Sequence, residues 1–259
     1  MARNEYKRRG LGFSLVELLV VVAVIGILAA LLFSALSKGK GKAQAIVCGN
    51  NVHQLNLALL QFVTDKRVYP LDVNPASSAG IFPDHGFSWI ESLSGELSQI
   101  LKGRDFKGIW VCASAKPPSH PNGPFSYYGY NANGLTAAGF TNSLGLGGHF
   151  VRQFPTRPPA PPVSEFEVKH PSEMISLGDG FIGSAQGVED GAAWLQRASN
   201  ISNDPASTAR ANARHGGKAN VAFCDDHVES PTLKSLFENT DEAGLARWNR
   251  DHEPHIERL

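Results

Sequence analysis

Apolar positions crowd one end of this chain and thin out along the rest. From Phe13 to Leu36 the sequence runs for twenty-four residues with Glu17 as its only charge. A helix of that length covers roughly 36 Å at about 1.5 Å per residue, more than the ~30 Å hydrocarbon core of a bilayer. A core helix of a soluble protein keeps a polar face, whereas this stretch is apolar all round from Leu18 to Phe33. The pattern therefore predicts a membrane-inserted helix over 13–36. Ser37-Lys38-Gly39-Lys40-Gly41-Lys42 follows, a basic segment at the membrane surface. Its glycines each cost about 1 kcal/mol in a helix, so a bend or break is expected there. Helical periodicity then resumes: Val52, Leu55, Leu59 and Phe62 recur at three- and four-residue steps, with Asn51, Gln54 and Gln61 between them. This predicts an amphipathic helix within 37–66 that lays one face on a core, closed by Pro70.

After residue 70 the signals shorten. Glycine and proline punctuate small apolar clusters at Trp89-Ile90, at Ile109-Trp110-Val111 and from Phe125 to Tyr130, with one helix expected around Glu91–Lys102. Large rings dominate cores, so the aromatic run is read as core rather than as a carbohydrate platform. Phe154 to Pro171 is proline-rich and extended, a surface crossing. Met174 to Asp179 reads as a short strand. Ala219–Phe223 and His227–Glu229, joined at Asp225-Asp226, read as a β-hairpin. Leu233, Leu236, Phe237, Leu245 and Trp248 suggest one or two helices, and residues 248–255 a solvated tail. The expected fold class is α+β: a long N-terminal helix on a small antiparallel sheet with irregular loops, the globular part covering 67–259.

Charge refines the anchor. The chain holds 24 basic and 24 acidic residues, so no overall field draws it to nucleic acid. Residues 1–12 carry Arg3, Lys7, Arg8 and Arg9 against Glu5, and Lys38, Lys40 and Lys42 flank the other end of the span. The count is nearly balanced, and Arg3 tips it toward a cytoplasmic amino terminus. Ala29-Ala30 has the small residues of a secretory cleavage site, but the apolar run continues past it. Glu17 separates an ordinary anchor from something more specific. A carboxylate inside an apolar span costs roughly 2.5–3.5 kcal/mol on insertion scales.

The neighbourhood Arg8-Arg9-Gly10-Leu11-Gly12-Phe13-Ser14-Leu15-Val16-Glu17 resembles the signal of type IV prepilins and type II secretion pseudopilins. The resemblance implies cleavage between Gly12 and Phe13 by a prepilin peptidase, removing a leader over 1–12. It also implies methylation of the new Phe13 amine, and an assembly role for Glu17 against neighbouring pilin subunits. An inner-membrane, single-pass protein with its head in the periplasm or at the cell surface follows from it. The stretch Cys48-Gly49-Asn50-Asn51-Val52-His53-Gln54-Leu55 looks like a pseudopilin-like family abundant in planctomycete and verrucomicrobial lineages. So do Trp110-Val111-Cys112 and Ser126–Asn131, and the ending Trp248–His255. That family also carries a histidine, nine residues and Asp-Gly near its end. Here His215 and Asp225 keep the spacing, while Asp226 stands in the glycine place. A tight two-residue turn wants positive φ at both central positions, which aspartate tolerates less well than glycine.

Secretion-type pseudopilins often hold calcium in a late loop, which makes Asp179, His215, Asp225 and His227 candidates by resemblance. No spacing among them matches a known calcium loop, and turn-capping by these side chains is the commoner role. No cofactor is required. Three cysteines allow one bridge and a spare thiol. In an exported head Cys48 and Cys112 are the candidate pair, tying helix to head, and Cys224 is expected buried in a strand. His252-Glu253-Pro254-His255 lacks the four-residue histidine spacing of a zinc protease. No nucleophile elbow or dinucleotide fingerprint occurs either. A structural filament subunit, not an enzyme, is the leading expectation. A membrane-anchored ligand-binding protein or enzyme sorted by the same signal is the alternative.

Overall fold

The computed structural model describes residues 14–71, 89–90, 92–93, 108–115, 127–135, 142–149, 161–180, 182–184, 187–189, 195 and 213–259. The leader expected over 1–12 lies outside them together with Phe13, as do most of the helix expected over 91–102 and residues 154–160 of the proline-rich crossing. Two compact units divide the chain, Met1–Lys42 and Ala43–Leu259.

The first unit is helical from Leu15, where the long helix α1 (Leu15–Lys66) begins. Ser14 sets its start with a reciprocal cap. The Ser14 N–H donates to Glu17 Oε2 at 2.8 Å, and the Glu17 N–H donates to Ser14 Oγ at 3.2 Å. Two amides that the helix leaves without partners are thereby satisfied. The large apolar side chains from Leu15 to Leu36 are exposed in the single chain. Among the described residues this is the one helix long and apolar enough to cross a membrane.

The break expected at Gly39 and Gly41 does not occur; α1 is continuous through both. Glycine weakens a helix by backbone entropy without removing a ladder hydrogen bond, so a run of good helix formers on either side carries it through.

In the second unit, Val52, Leu55 and Leu59 are fully buried and Phe62 packs against the same cluster, as the periodicity predicts. Asn51, placed by that periodicity on the polar face, is buried instead. Its amide donates to Val111 O at 3.1 Å and to the Tyr128 hydroxyl at 3.2 Å. Asn56 is fully buried too, donating to Phe223 O at 2.9 Å. Buried amides with matched partners can replace apolar contacts on a helix face, and a hydropathy pattern does not register them.

Among the described residues four antiparallel strands form the sheet in the order β1 (Tyr128–Tyr130), β2 (Ile175–Asp179), β5 (Val221–Phe223), β6 (Val228–Glu229). A separate ribbon pairs β3 (Ile182–Ser184) with β4 (Gly187–Glu189). Along β5 the side chains alternate: Ala222 joins the core cluster that includes the α1 face, whereas Val221 and Phe223 join a second cluster. β2 breaks this parity, because Ile175 lies in the second cluster and Leu177 in the first. A register shift between Ile175 and Leu177 explains it. A bulge turns two successive residues to one side, and here Ser176 hydrogen-bonds Asn56 of α1 while Leu177 packs into the α1-side cluster.

The hairpin forms as expected, but with a three-residue loop rather than a two-residue turn. Phe223 N donates to His227 O and Asp226 N donates to Phe223 O, both at 3.0 Å, enclosing Cys224, Asp225 and Asp226. In such loops only the last residue needs the left-handed conformation, and Asp226 takes it with φ 81°. Cys224 is buried as expected, in the turn instead of a strand.

Helices α2 (Leu233–Phe237) and α3 (Glu242–Ala246) cover the second cluster with Leu233, Leu236, Phe237 and Leu245. The solvated tail expected at 248–255 is a packed segment. Trp248 and Asn249 are each 1% exposed. Asn131 Nδ2 donates to Trp248 O at 3.0 Å, and Leu135 N donates to Asn249 Oδ1 at 3.0 Å. A buried tryptophan and two anchored backbone groups outweigh the polar composition of this stretch.

Candidate functional site

Two places concentrate chemistry. At the start of α1, Glu17 is the one ionisable side chain among large exposed apolar neighbours. Its Oε2 is engaged by Ser14, three residues upstream. The Ser-x-x-Glu spacing at 14–17 is a helix-start signature. Reading Glu17 for its charge alone passes over it.

The second place is sealed inside the head. Cys48 projects from α1, Cys112 follows the 3-10 turn Gly108–Trp110, and His215 sits in the turn Arg214–Gly216. The loop at Cys112 is fastened to α1 by Asn51 and by Gln44, whose Nε2 donates to Ala113 O at 2.9 Å. Cys48 Sγ and Cys112 Sγ lie 2.9 Å apart as free thiols, and Cys112 Sγ lies 3.3 Å from His215 Nε2. The Ala113 N–H donates to Cys48 Sγ at 3.1 Å. His215 takes φ 48°, and Gly216 and Gly217 after it are also left-handed. That backbone returns the imidazole into the head, where its side chain is 2% exposed.

Asp179, at the end of β2, meets the same His215 ring nitrogen as Cys112. Its Oδ2 is 3.3 Å from His215 Nε2 and accepts from Asn220 N at 2.7 Å and Asn220 Nδ2 at 3.0 Å. Its Oδ1 accepts from Arg214 Nη2 at 2.8 Å. Burial opposes ionisation of Asp179, but Arg214 and His215 more than offset it and hold the carboxyl below its ordinary range. Burial likewise works against a charged His215, and its contacts with Asp179 and Cys112 outweigh that, lifting it to about 9. The thiol–thiol contact draws Cys48 down to about 6 against the opposing effect of burial. The same contact, with burial, pushes Cys112 up.

The residues singled out from sequence thus separate into groups. Cys48, Cys112, His215 and Asp179 come together. Asp225 and His227 meet elsewhere, on the hairpin, with His227 Nδ1 2.6 Å from Asp225 Oδ1. Asp226 faces α1, 3.1 Å from His53 Nε2 and 3.2 Å from Asn56 Nδ2. The four residues considered for calcium therefore do not share one oxygen-rich loop. Arg214 was missed altogether: an arginine beside a histidine and two glycines reads as surface, and only the fold reveals its buried carboxylate.

A family model of the prokaryotic N-terminal methylation motif matches residues 7–33. No curated protein and no solved structure matches the chain. The matched stretch takes in the basic end of the leader, Gly12, Phe13, Glu17 and most of the apolar span. Together with the long helix and small antiparallel sheet, it supports a membrane-anchored, type IV pilin-like protein and points away from an enzyme.

Proposed function

We propose that the chain is a structural subunit of a type II secretion pseudopilus or a type IV pilus-like filament. It is made as a precursor with a leader over 1–12, cut between Gly12 and Phe13 by a prepilin peptidase and methylated on the Phe13 amine. Residues 13–36 then anchor it in the inner membrane as a single pass, 37–66 lead out of the membrane, and the head over 67–259 stands in the periplasm or at the cell surface. The observation that carries this reading is Glu17, a carboxylate inside an apolar helix within the methylation motif. Its insertion penalty is recovered when a cation from a neighbouring subunit meets it, and the amine created four residues upstream is such a cation. The spacing of His215 and Asp225, with the chain's other likenesses, supports reading the head as one of the planctomycete and verrucomicrobial pseudopilin-like kind.

Mass spectrometry of the mature amino terminus tests the processing. A chain beginning at methylated Phe13 supports it; one beginning at Met1 or after Ala30 removes it. Glu17→Val tests the role: a filament subunit loses incorporation while cleavage continues, whereas an anchored binding protein is indifferent to the change.

A further inference from the structure

We propose that Cys48, Cys112 and His215 bind one divalent metal ion of the zinc class through Cys48 Sγ, Cys112 Sγ and His215 Nε2. The three ligand atoms all lie within 4.8 Å of one another. They come from elements separated by 64 and 103 positions in the chain. This inference does not rest on the filament reading, since the centre is internal to the head.

The donor set selects the metal. Two thiolates and an imidazole suit zinc and other borderline or soft ions, whereas calcium and magnesium take oxygen. Metal–sulfur bonds of about 2.3 Å and metal–nitrogen bonds of about 2.0–2.1 Å place tetrahedral ligand atoms roughly 3.4–3.8 Å apart. The separations of 2.9 Å between the sulfurs and 3.3 Å from Cys112 to His215 reach that range with shifts under about 1 Å, and the third pair, within 4.8 Å, closes by at most about 1.3 Å.

Charge balance points the same way. Two thiolates and Asp179 carry three negative charges in a site shielded from bulk solvent; Arg214 and a divalent ion, which enters with one water as its fourth ligand, carry three positive ones. Both cysteines ligate as thiolates and His215 as neutral imidazole, so whatever protons these three groups carry leave for solvent and the centre is left neutral. The Ala113 N–H directed at Cys48 Sγ supports a thiolate there, as amide donors do around metal-bound sulfur. Asp179 Oδ2, 3.3 Å from His215 Nε2, gives up that contact when the nitrogen turns its lone pair to the metal; held by Arg214 and Asn220, it balances charge from beside the ligand set. The rival chemistry is a Cys48–Cys112 bridge, which would draw the sulfurs together to about 2.05 Å and leave His215 without a thiol to ligate beside.

The test uses the full chain, exported in a bacterial host and purified in detergent without reductant. Metal analysis and peptide mapping establish its resident state; one zinc per chain with Cys48 and Cys112 unbridged is expected. After reduction and chelation, titration with Co²⁺ should give tetrahedral d–d bands and thiolate-to-cobalt charge transfer at one ion per chain, displaced by Zn²⁺. Cys48→Ser and Cys112→Ser should each remove half the charge-transfer intensity or all binding, and His215→Gln should weaken binding about tenfold or more. Cys224→Ser should change nothing. Circular dichroism checks folding, and the histidine variant keeps the test decisive if a serine variant unfolds. A stoichiometric Cys48–Cys112 bridge in the isolated chain overturns the proposal. So does a folded, reduced chain without cobalt bands, or bands that survive all three ligand substitutions.

Discussion

Arg214 Nη2 lies 2.8 Å from Asp179 Oδ1, with 1% and 0% of the two side chains exposed. The pair links the end of β2 to the turn that carries His215, and Arg214 Nη1 extends it by donating to Gly180 O at 2.9 Å. Breaking a buried pair leaves one charge uncompensated in low dielectric, which outweighs the worth of the intact bond. Asp179→Asn, similar in shape but neutral, should therefore destabilise the head by about 3–5 kcal/mol. Urea unfolding of the detergent-solubilised chain measures it, and a loss under about 1 kcal/mol would show the guanidinium to be solvated after all.

Asn56 gives a second case. Asn56→Leu keeps the bulk but strips Phe223 O of its side-chain donor and Ser176 Oγ of one acceptor. The expected loss is about 1–3 kcal/mol. Ser176 can still donate to Ala222 O, so a double-mutant cycle with Ser176→Ala should show coupling between the two sites. Strict additivity would contradict the bond.

Gly178 is close-packed in β2. A Cβ there would sit 2.7 Å from both Asn220 O and Val221 Cγ1. That carbonyl accepts from Asp179 N at 2.8 Å, and the same residue holds Asp179 Oδ2, so it cannot move aside without loosening Asp179. Gly178→Ala should lower stability by about 1–3 kcal/mol through overpacking, visible as a lower melting temperature. An unchanged melting point would mean that the strand yields freely.

Acid sensitivity has an identifiable contributor on β6. Burial raises the Glu229 pKa, but Arg247 at 2.7 Å and His227 outweigh it and depress the carboxyl. A depressed folded pKa contributes stability above the unfolded value of about 4.3, lost as pH falls through the folded one. The pair is partly exposed, so its worth is under about 1 kcal/mol. Glu229→Gln should flatten the fall in stability from about pH 6 to about pH 2 by that amount. Arg247→Ala should do the same and add a pH-independent loss, because Arg247 also packs 4.5 Å from the Phe223 ring centre. Denaturation midpoints across that range distinguish the two effects.

At the anchor, Ser14→Ala removes one half of the reciprocal cap. Amides of the first turn of α1 should exchange faster, by about fivefold for a loss near 1 kcal/mol. Amides beyond the second turn should be unaffected, and uniform acceleration along the helix would point to a cause other than the cap.

Much of this was legible in the sequence where one element announces itself. Phe13 to Leu36 declares an apolar helix by length, Val52, Leu55 and Leu59 declare a buried face by spacing, and the hairpin declares itself by alternation around Asp225-Asp226. What escaped depends on partners far along the chain. Asn51 and Asn56 look like surface positions until Val111, Tyr128 and Phe223 are brought to them. Trp248 and Asn249 look like part of a tail until Asn131 and Leu135 receive them. Cys48, Cys112, His215 and Asp179 share no local spacing, so only the fold assembles them.

Asn56 also sets an order of events. Its partners Ser176 and Phe223 lie 120 and 167 positions downstream, so this stretch of α1 emerges long before anything can meet its buried amide. Loops that long close late and slowly. Until they do, the Asn56 amide has only water to serve it, beside the apolar face of Val52, Leu55 and Leu59. This early-made stretch of helix is thus among the last parts of the core to be completed.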